Sequence, residues 1–270
     1  GEKIAIVTNK PQTTRNRICA VVNREGCQFV FLDTPGLHKA RTRLGDYMVK
    51  VVKESVADVD AVLLLVEPIP HIGGPEAELI RRIKELNVPA VLVINKIDTV
   101  EKEELLSVMQ VYGAAHDFAA IVPISAKRNE GVDELLGLLA QFLPEGPQLF
   151  PEDMVTDQPE RQVCAEIIRE KLLLCLDKEI PHGTAVEITT FSERDDGIID
   201  LDATIYCEKA SHKGIIIGKG GAMLKKISTL ARTDIEAFMG TKVFLQTWVK
   251  VKENWRDNMN LIKNFGYRDE

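Results

Sequence analysis

Residues 90–98 read Ala90-Val91-Leu92-Val93-Ile94-Asn95-Lys96-Ile97-Asp98. Five consecutive apolar residues with no polar alternation predict a strand buried on both faces, as in a parallel sheet sandwiched by helices. The abrupt change at Asn95 marks the carboxyl end of the strand, the rim on which open α/β sheets bind their ligands. Two other runs end the same way. Residues 29–32 pass into Asp33-Thr34-Pro35-Gly36-Leu37, and residues 121–124 pass into Ser125-Ala126-Lys127. A fourth apolar run covers 61–66, and helical periods fill 42–59, 76–86, 103–115 and 132–142. Strands therefore alternate with helices, which predicts crossover connections and an α/β fold with a mostly parallel sheet. Residues 18–22 and 28–32, joined through Gly26, predict a hairpin that adds one antiparallel edge to it.

Each polar cluster suits one part of a guanine nucleotide. A carboxylate at a strand end, Asp33, can hold Mg²⁺ through water, and the amide of Gly36 can approach a terminal phosphate closely. Guanine offers N1–H and N2–H₂ on one edge, which a rigid carboxylate accepts in bidentate fashion; Asp98 fits that task. A backbone amide, that of Ala126, can satisfy O6. Asn95 can tie the two loops together, and the aliphatic stem of Lys96 can lie over the base. Any one cluster alone is compatible with an ordinary turn or helix cap. Their recurrence in this order, each at a strand end, favours the nucleotide reading.

The chain has 270 residues, about two domains' worth, and is 45% hydrophobic, enough for each domain to bury a core. Prolines at 144, 147, 151 and 159 make a seam that regular structure is not expected to cross. The expected division is a nucleotide-binding domain over 1–147, a linker over 148–159 and a second domain over 160–270. The net charge is −7, so no global positive field announces a nucleic acid and any such contact must be local. The five cysteines stand singly, without a C-x-x-C pair, and are expected to be reduced and buried. No apolar run approaches the roughly 18 residues needed to cross a bilayer. A soluble, cytoplasmic protein is expected.

The second block predicts a helix over 160–177, strands over 185–191 and 200–208, helices over 221–229 and 232–238, and a strand over 242–252. This is an α+β arrangement with a small sheet. Residues 209–232 contain six basic residues and no acidic one. Within them Gly218-Lys219-Gly220-Gly221 joins an apolar turn at 215–217 to a helix. Glycines let the main chain approach a phosphodiester, the helix amino terminus favours negative charge, and Lys213, Lys219, Lys225 and Lys226 can track a backbone. The plainer alternative is a glycine turn capping a basic helix. The α-β-β-α-α-β order and the local charge contrast favour nucleic acid.

On these motifs residues 1–150 resemble a translation-factor-related GTPase domain, and the whole chain resembles the Era-like family of bacterial ribosome-assembly GTPases, whose second domain is a type II KH domain. Lys10-Pro11-Gln12-Thr13-Thr14-Arg15 is similar to the family's first switch, in which a threonine ligates Mg²⁺; both Thr13 and Thr14 remain open for that role. Asp33-Thr34-Pro35-Gly36-Leu37-His38 is similar to the second switch. Glu166-Ile167-Ile168-Arg169-Glu170-Lys171-Leu172, Phe150-Pro151-Glu152-Asp153 and Trp248-Val249-Lys250-Val251-Lys252 match the family as well. The resemblance implies binding and hydrolysis of GTP to GDP with Mg²⁺, binding to the 3′ end of 16S ribosomal RNA, assistance in assembling the 30S subunit, a monomeric state and a peripheral membrane contact.

Two departures carry expectations. No G-x-x-x-x-G-K-[ST] occurs in the 270 residues, so they are expected to be part of a longer protein and, by themselves, to bind GTP poorly and hydrolyse it negligibly. Leu37 stands where Ras-like proteins place a glutamine that orients the attacking water, so hydrolysis is expected to be slow without a partner. The competing reading is a non-catalytic RNA-binding adaptor with a degenerate nucleotide domain.

Overall fold

The structure, a computed structural model, describes residues 3–10, 13–36, 40–55, 59–86 and 88–267. Leu37 lies outside them. The elements are β1 (Ile18–Arg24), β2 (Cys27–Asp33), α1 (Arg43–Ser55), β3 (Val62–Val66), α2 (Gly74–Leu86), β4 (Ala90–Ile94), α3 (Lys102–Ala115), β5 (Ala120–Pro123), α4 (Val132–Leu139), α5 (Glu160–Cys175), β6 (Ala185–Glu193), β7 (Ile199–Cys207), α6 (Ala210–Ile217), α7 (Ala222–Met239), β8 (Val243–Val251) and α8 (Met259–Asn264). Contacts divide the chain into two units: Asn23–Phe29 with Lys53–Glu152, and Gly1–Val22 with Val30–Val52 and Asp153–Glu270.

In the first of these units β3, β4 and β5 form a parallel sheet in that order. Register places Val66, Ile94 and Pro123 at one level, so the residues that follow them emerge along one rim. The central strand β4 is buried along its whole length, as its unbroken apolar run requires. Its Leu92 and Ile94 pack with Leu64, Ile80, Ile83, Val108 and Tyr112, which come from β3, α2 and α3. The hairpin β1–β2 forms as predicted, but it makes a two-stranded sheet of its own and is not hydrogen-bonded to β3–β5 as an antiparallel edge.

In the other unit β6 and β7 pair antiparallel, β7 and β8 pair parallel, and α5 and α7 pack on the sheet. The core joins Ile167, Ile168 and Leu172 of α5 to Leu201, Ala203 and Ile205 of β7 and Ile227, Ala231 and Ile235 of α7. The predicted α-β-β-α-α-β order holds, but the two adjacent helices fall elsewhere. α7 is one helix, because its buried stripe at 227, 231 and 235 runs straight through the expected break. The other helix is α6, which lies before the glycines. Its apolar residues 215–217 are consecutive, and only Ile216 is buried while Ile215 is 50% exposed, so no helical period appears in the sequence. The region after Trp255, for which the sequence gives no clear signal, contains a 3₁₀ turn and α8, capped by the Asn258 side chain, which accepts from the amides of Asn260 at 3.0 Å and Leu261 at 3.2 Å. Leu44, Tyr47, Met48 and Val51 of α1 pack in this unit against Tyr206, Trp255, Ile262 and Tyr267.

Cys19, Cys164 and Cys207 are buried as expected, whereas Cys27 and Cys175 are only partly so. Among the described residues no helix is long and apolar enough to cross a membrane.

Candidate functional site

The rim of the parallel sheet carries the first group of predicted residues. Hydrogen bonds from the Asn95 amide to the Val66 carbonyl (2.9 Å) and from the Ile97 amide to the Ile124 carbonyl (3.2 Å) continue the ladder past the strands, which fixes both loops to the sheet. Between them the Asn95 side chain acts as a tie: its Oδ1 accepts from the Lys96 amide at 2.8 Å and from the Ala126 amide at 3.0 Å. The amide assigned from sequence to guanine O6 is thus engaged by Asn95 in this structure. Ser125 is completely buried and donates from Oγ to Asp98 Oδ1 at 2.7 Å. That hydrogen bond, aided by Arg128 and Lys127, holds the Asp98 carboxyl below its ordinary pKa. Asp98 is therefore ionised at neutral pH, and a carboxylate has about four acceptor positions, so a bidentate donor can still be received.

Gly131 shows how tightly the second loop is turned. It closes the Ser125–Glu130 bridge with φ +75°, and a Cβ there would lie 2.7 Å from the Pro123 carbonyl oxygen. Lys96 is left-handed, with φ 66°, and its ammonium pairs with Glu67, a partner that no sequence signal indicated. Lys127 is exposed.

The second group lies in the other unit. Thr14 Oγ1 donates to Asp33 Oδ2 at 3.1 Å. The Thr13 hydroxyl instead donates to the Lys10 carbonyl at 2.7 Å, so of the two threonines only Thr14 is brought to the carboxylate. Thr34 and Pro35 follow directly, Pro35 buried and Gly36 exposed. Among the described residues no three His, Cys, Asp or Glu side chains gather. The hydroxyl and carboxylate nevertheless form a pair of hard oxygen donors that suits Mg²⁺, which takes one or two protein ligands and completes its shell with water and phosphate.

The third group also lies in this unit. Gly218, Gly220 and Gly221 all have positive φ, at 73°, 59° and 81°, and lead from the end of α6 into α7. Gly218 caps α6, its amide donating to the Gly214 carbonyl at 2.9 Å. Lys219, Lys225 and Lys226 are exposed and Lys213 half-buried, and none of the four pairs with a carboxylate among the described residues. The loop thus presents bare main chain beside unpaired cations, an arrangement that receives a phosphodiester.

Sequence reasoning missed how the segment bearing Thr14 is held. Arg15 is fully buried, donating to the carbonyls of Thr184 (2.8 Å) and His182 (2.8 Å) and to the Tyr267 hydroxyl (3.0 Å), with the Trp255 and Tyr267 rings 5.8 and 5.7 Å from its guanidinium. Arg169, 1% exposed, donates to the Thr13 carbonyl and to both oxygens of Glu166. One signal could have found this. Arg169-Glu170-Lys171 are three successive charges between Ile167-Ile168 and Leu172-Leu173, where helical periodicity forces at least one of them inward.

A family described as 50S ribosome-binding GTPase matches residues 1–96, and the KH domain family matches residues 179–256. The chain is 52% identical over 268 residues to the GTPase Era of Ruminiclostridium cellulolyticum, covering 99% of this chain and 90% of that one, and 50% identical to the GTPase Era of Clostridium kluyveri, covering 99% and 92%. Among solved structures it is similar to a single-substitution variant of Aquifex aeolicus Era bound to GDP·AlF₄⁻, with 36% identity, a TM-score of 0.94 and coverage of 99% and 91%. It is equally similar to Era in complex with MgGDPNP and nucleotides 1506–1542 of 16S ribosomal RNA, with 36% identity, a TM-score of 0.95 and the same coverage.

Proposed function

Because this chain belongs to the Era family of GTPases, we propose that its full-length protein is a GTP-hydrolysing switch that binds the 3′ end of 16S ribosomal RNA and assists assembly of the 30S subunit, working as a cytoplasmic monomer. Residues 1–147 form its GTPase domain and 160–270 its KH domain, joined by 148–159. The observation that carries the reading is the rim lattice in which Ser125 and Asn95 fix Asp98 and Ala126 on adjoining loops.

Asp98 accepts guanine N1–H and N2–H₂, the Ala126 amide, which also donates to Asn95 Oδ1, is shared with O6, and Lys96 flanks the base. Thr14 and Asp33 hold Mg²⁺, with Gly36 offering an amide toward the terminal phosphate. Held there, Mg²⁺ would supply positive charge to offset the negative charge that develops on the phosphates. Lys213, Gly218, Lys219, Gly220, Gly221, Lys225 and Lys226 bind the RNA backbone.

The test exploits the chemistry of the base edge. Asp98→Asn exchanges one acceptor for a donor, which mismatches guanine and matches the O2 carbonyl of xanthine. In the full-length protein, fluorescent-GDP titration is expected to show a loss on the order of a hundredfold, with xanthosine diphosphate gaining. Equal competition by ATP and GTP in the parent protein, or an unaltered guanine preference in the variant, would remove the basis of this reading.

A further inference from the structure

Three successive charges of α5 are buried: Arg169, Glu170 and Lys171. Burying a charge is costly unless it is paired, and within the helix Glu166 pairs with Arg169 and Glu170 with Lys171. The segment that bears the switch threonines adds further partners. Lys3 donates to Glu170 at 2.8 Å and to Asp234 of α7 at 2.6 Å, Lys171 joins the same two carboxylates, and Lys10 donates to the Leu176 carbonyl.

The consequence for chemistry lies at Thr14. On one side the Thr13 carbonyl is held by Arg169; on the other the Arg15 guanidinium is locked against Thr184, His182 and Tyr267. Both anchors lie in the KH region, 160–270, and Thr14 between them has its hydroxyl on Asp33 at 3.1 Å. Arg169 is itself rigid, because Glu166 receives its Nε at 2.8 Å and its Nη2 at 2.6 Å. Its Nη1 is buried with no acceptor among the described residues.

We propose that Arg169 is a positioning residue for GTP hydrolysis: by gripping the Thr13 carbonyl from helix α5 of the RNA-binding module, it sets the Thr14 hydroxyl beside Asp33 and completes the Mg²⁺-binding pair. The inference rests on the reading of Thr14 and Asp33 given above. It makes the RNA-binding module a structural part of the hydrolytic site. It also predicts a defect specific to the triphosphate state, since holding GDP through its base does not use Thr14.

The experiment compares Arg169→Met, Arg169→Lys, Thr14→Ala and the Thr14→Ala/Arg169→Met double variant in the full-length protein. It reads GTP turnover against Mg²⁺ concentration, fluorescent-GDP affinity, RNA affinity and thermal unfolding. Arg169→Met is expected to lower kcat tenfold or more and to raise the Mg²⁺ concentration for half-maximal rate, with GDP and RNA affinities unchanged; misplacing a reacting group by about 1 Å costs on the order of a hundredfold. Arg169→Lys restores part of the rate, and the double variant is no slower than Thr14→Ala, because both changes act through one hydroxyl. Wild-type turnover and Mg²⁺ dependence in a folded Arg169→Met protein overturns the proposal, as do multiplicative effects in the double variant or parallel losses of GDP and RNA binding. If Thr14→Ala alone leaves turnover and Mg²⁺ dependence unchanged, the reading of Thr14 fails instead. Should Arg169→Met not fold, Glu166→Gln, which loosens the guanidinium, is judged by the same criteria beside Arg169→Lys.

Discussion

The glycine loop separates a structural from a functional requirement within three residues, and paired substitutions there test both. At Gly218 the backbone has φ 73° and ψ 174°, a region essentially closed to side chains, and a Cβ would stand 2.7 Å from Met223 Cβ and 2.9 Å from the Met223 amide nitrogen. Carbon contacts prefer about 3.5 to 4.0 Å, and the obstructing atoms include the backbone of the first turn of α7, which cannot yield alone. Backbone strain of about 1–3 kcal/mol and overpacking of about 1–3 kcal/mol together put Gly218→Ala near 4 kcal/mol of destabilisation. Gly220 has φ 59° and ψ 22°, an ordinary left-handed conformation, and a Cβ there meets nothing within 4 Å. Gly220→Asp should therefore cost only about 1 kcal/mol, Asp being among the residues that tolerate this region best. On the RNA contact proposed for this loop its carboxylate would repel the phosphate, and RNA affinity should drop at least tenfold. Urea unfolding and fluorescence anisotropy with an RNA matching 16S nucleotides 1506–1542 measure the two effects. Equal stabilities for the two variants would refute the steric argument, and wild-type RNA affinity in Gly220→Asp would reduce the loop to a helix cap.

Three further outcomes follow from the same geometry. Replacing Lys225 and Lys226 by glutamine should weaken RNA binding and flatten the slope of log affinity against log salt by about 1.4, near 0.7 for each single-strand phosphate contact; an unchanged slope would place both lysines off the RNA path. Burial, with a smaller contribution from Glu160, pushes the Cys164 thiol up to about 12, so native protein at pH 8 should be alkylated by iodoacetamide at the partly exposed Cys27 and Cys175 while Cys164 stays intact until unfolding, as peptide mapping would show. Burial raises the Asp234 carboxyl, but hydrogen bonds from Lys171 and Lys3 outweigh it and leave the pKa below its ordinary value. In the acid window beneath the unfolded pKa of about 3.9 the unfolded chain then binds more protons than the folded one, so this carboxylate's stabilisation is present above that window and is lost as pH falls through it. Asp234→Asn should make unfolding less sensitive to pH between about 5 and 3, and an identical pH profile would show the pairing to be energetically silent.

Much of the nucleotide rim was legible because its signals are local. The unbroken run 90–94 could satisfy its side chains only between two layers of helix, and the polar residues directly behind it had to emerge at the strand's end, where Asn95 and Asp98 stand. The glycine loop was legible for a related reason, since a G-x-x-G amid unbalanced lysines has few packing explanations. Helix α6 was missed because three consecutive isoleucines carry no period, and the break expected in α7 was wrong because its buried stripe passes through Ala231 without a helix breaker. Sequence also could not choose between Thr13 and Thr14: neighbouring residues of one type differ only in the direction their hydroxyls take, and that was fixed by the Lys10 carbonyl and the Asp33 carboxylate.

By itself, then, the amino-acid order determined the strand and helix alternation, the polar rim at the strand ends and the glycine loop among lysines, since each is written in residues adjacent along the chain. Only the tertiary structure decided that Arg15 and Arg169 are interior, that the Thr14 segment is held by helix α5 and the loop at 182–184, and that α1 packs against Trp255 and Tyr267. A charged side chain reads as solvated unless its partners are known, and the partners of Arg15, like the Thr13 carbonyl held by Arg169, lie more than 150 residues away, where only the folded chain brings them into contact.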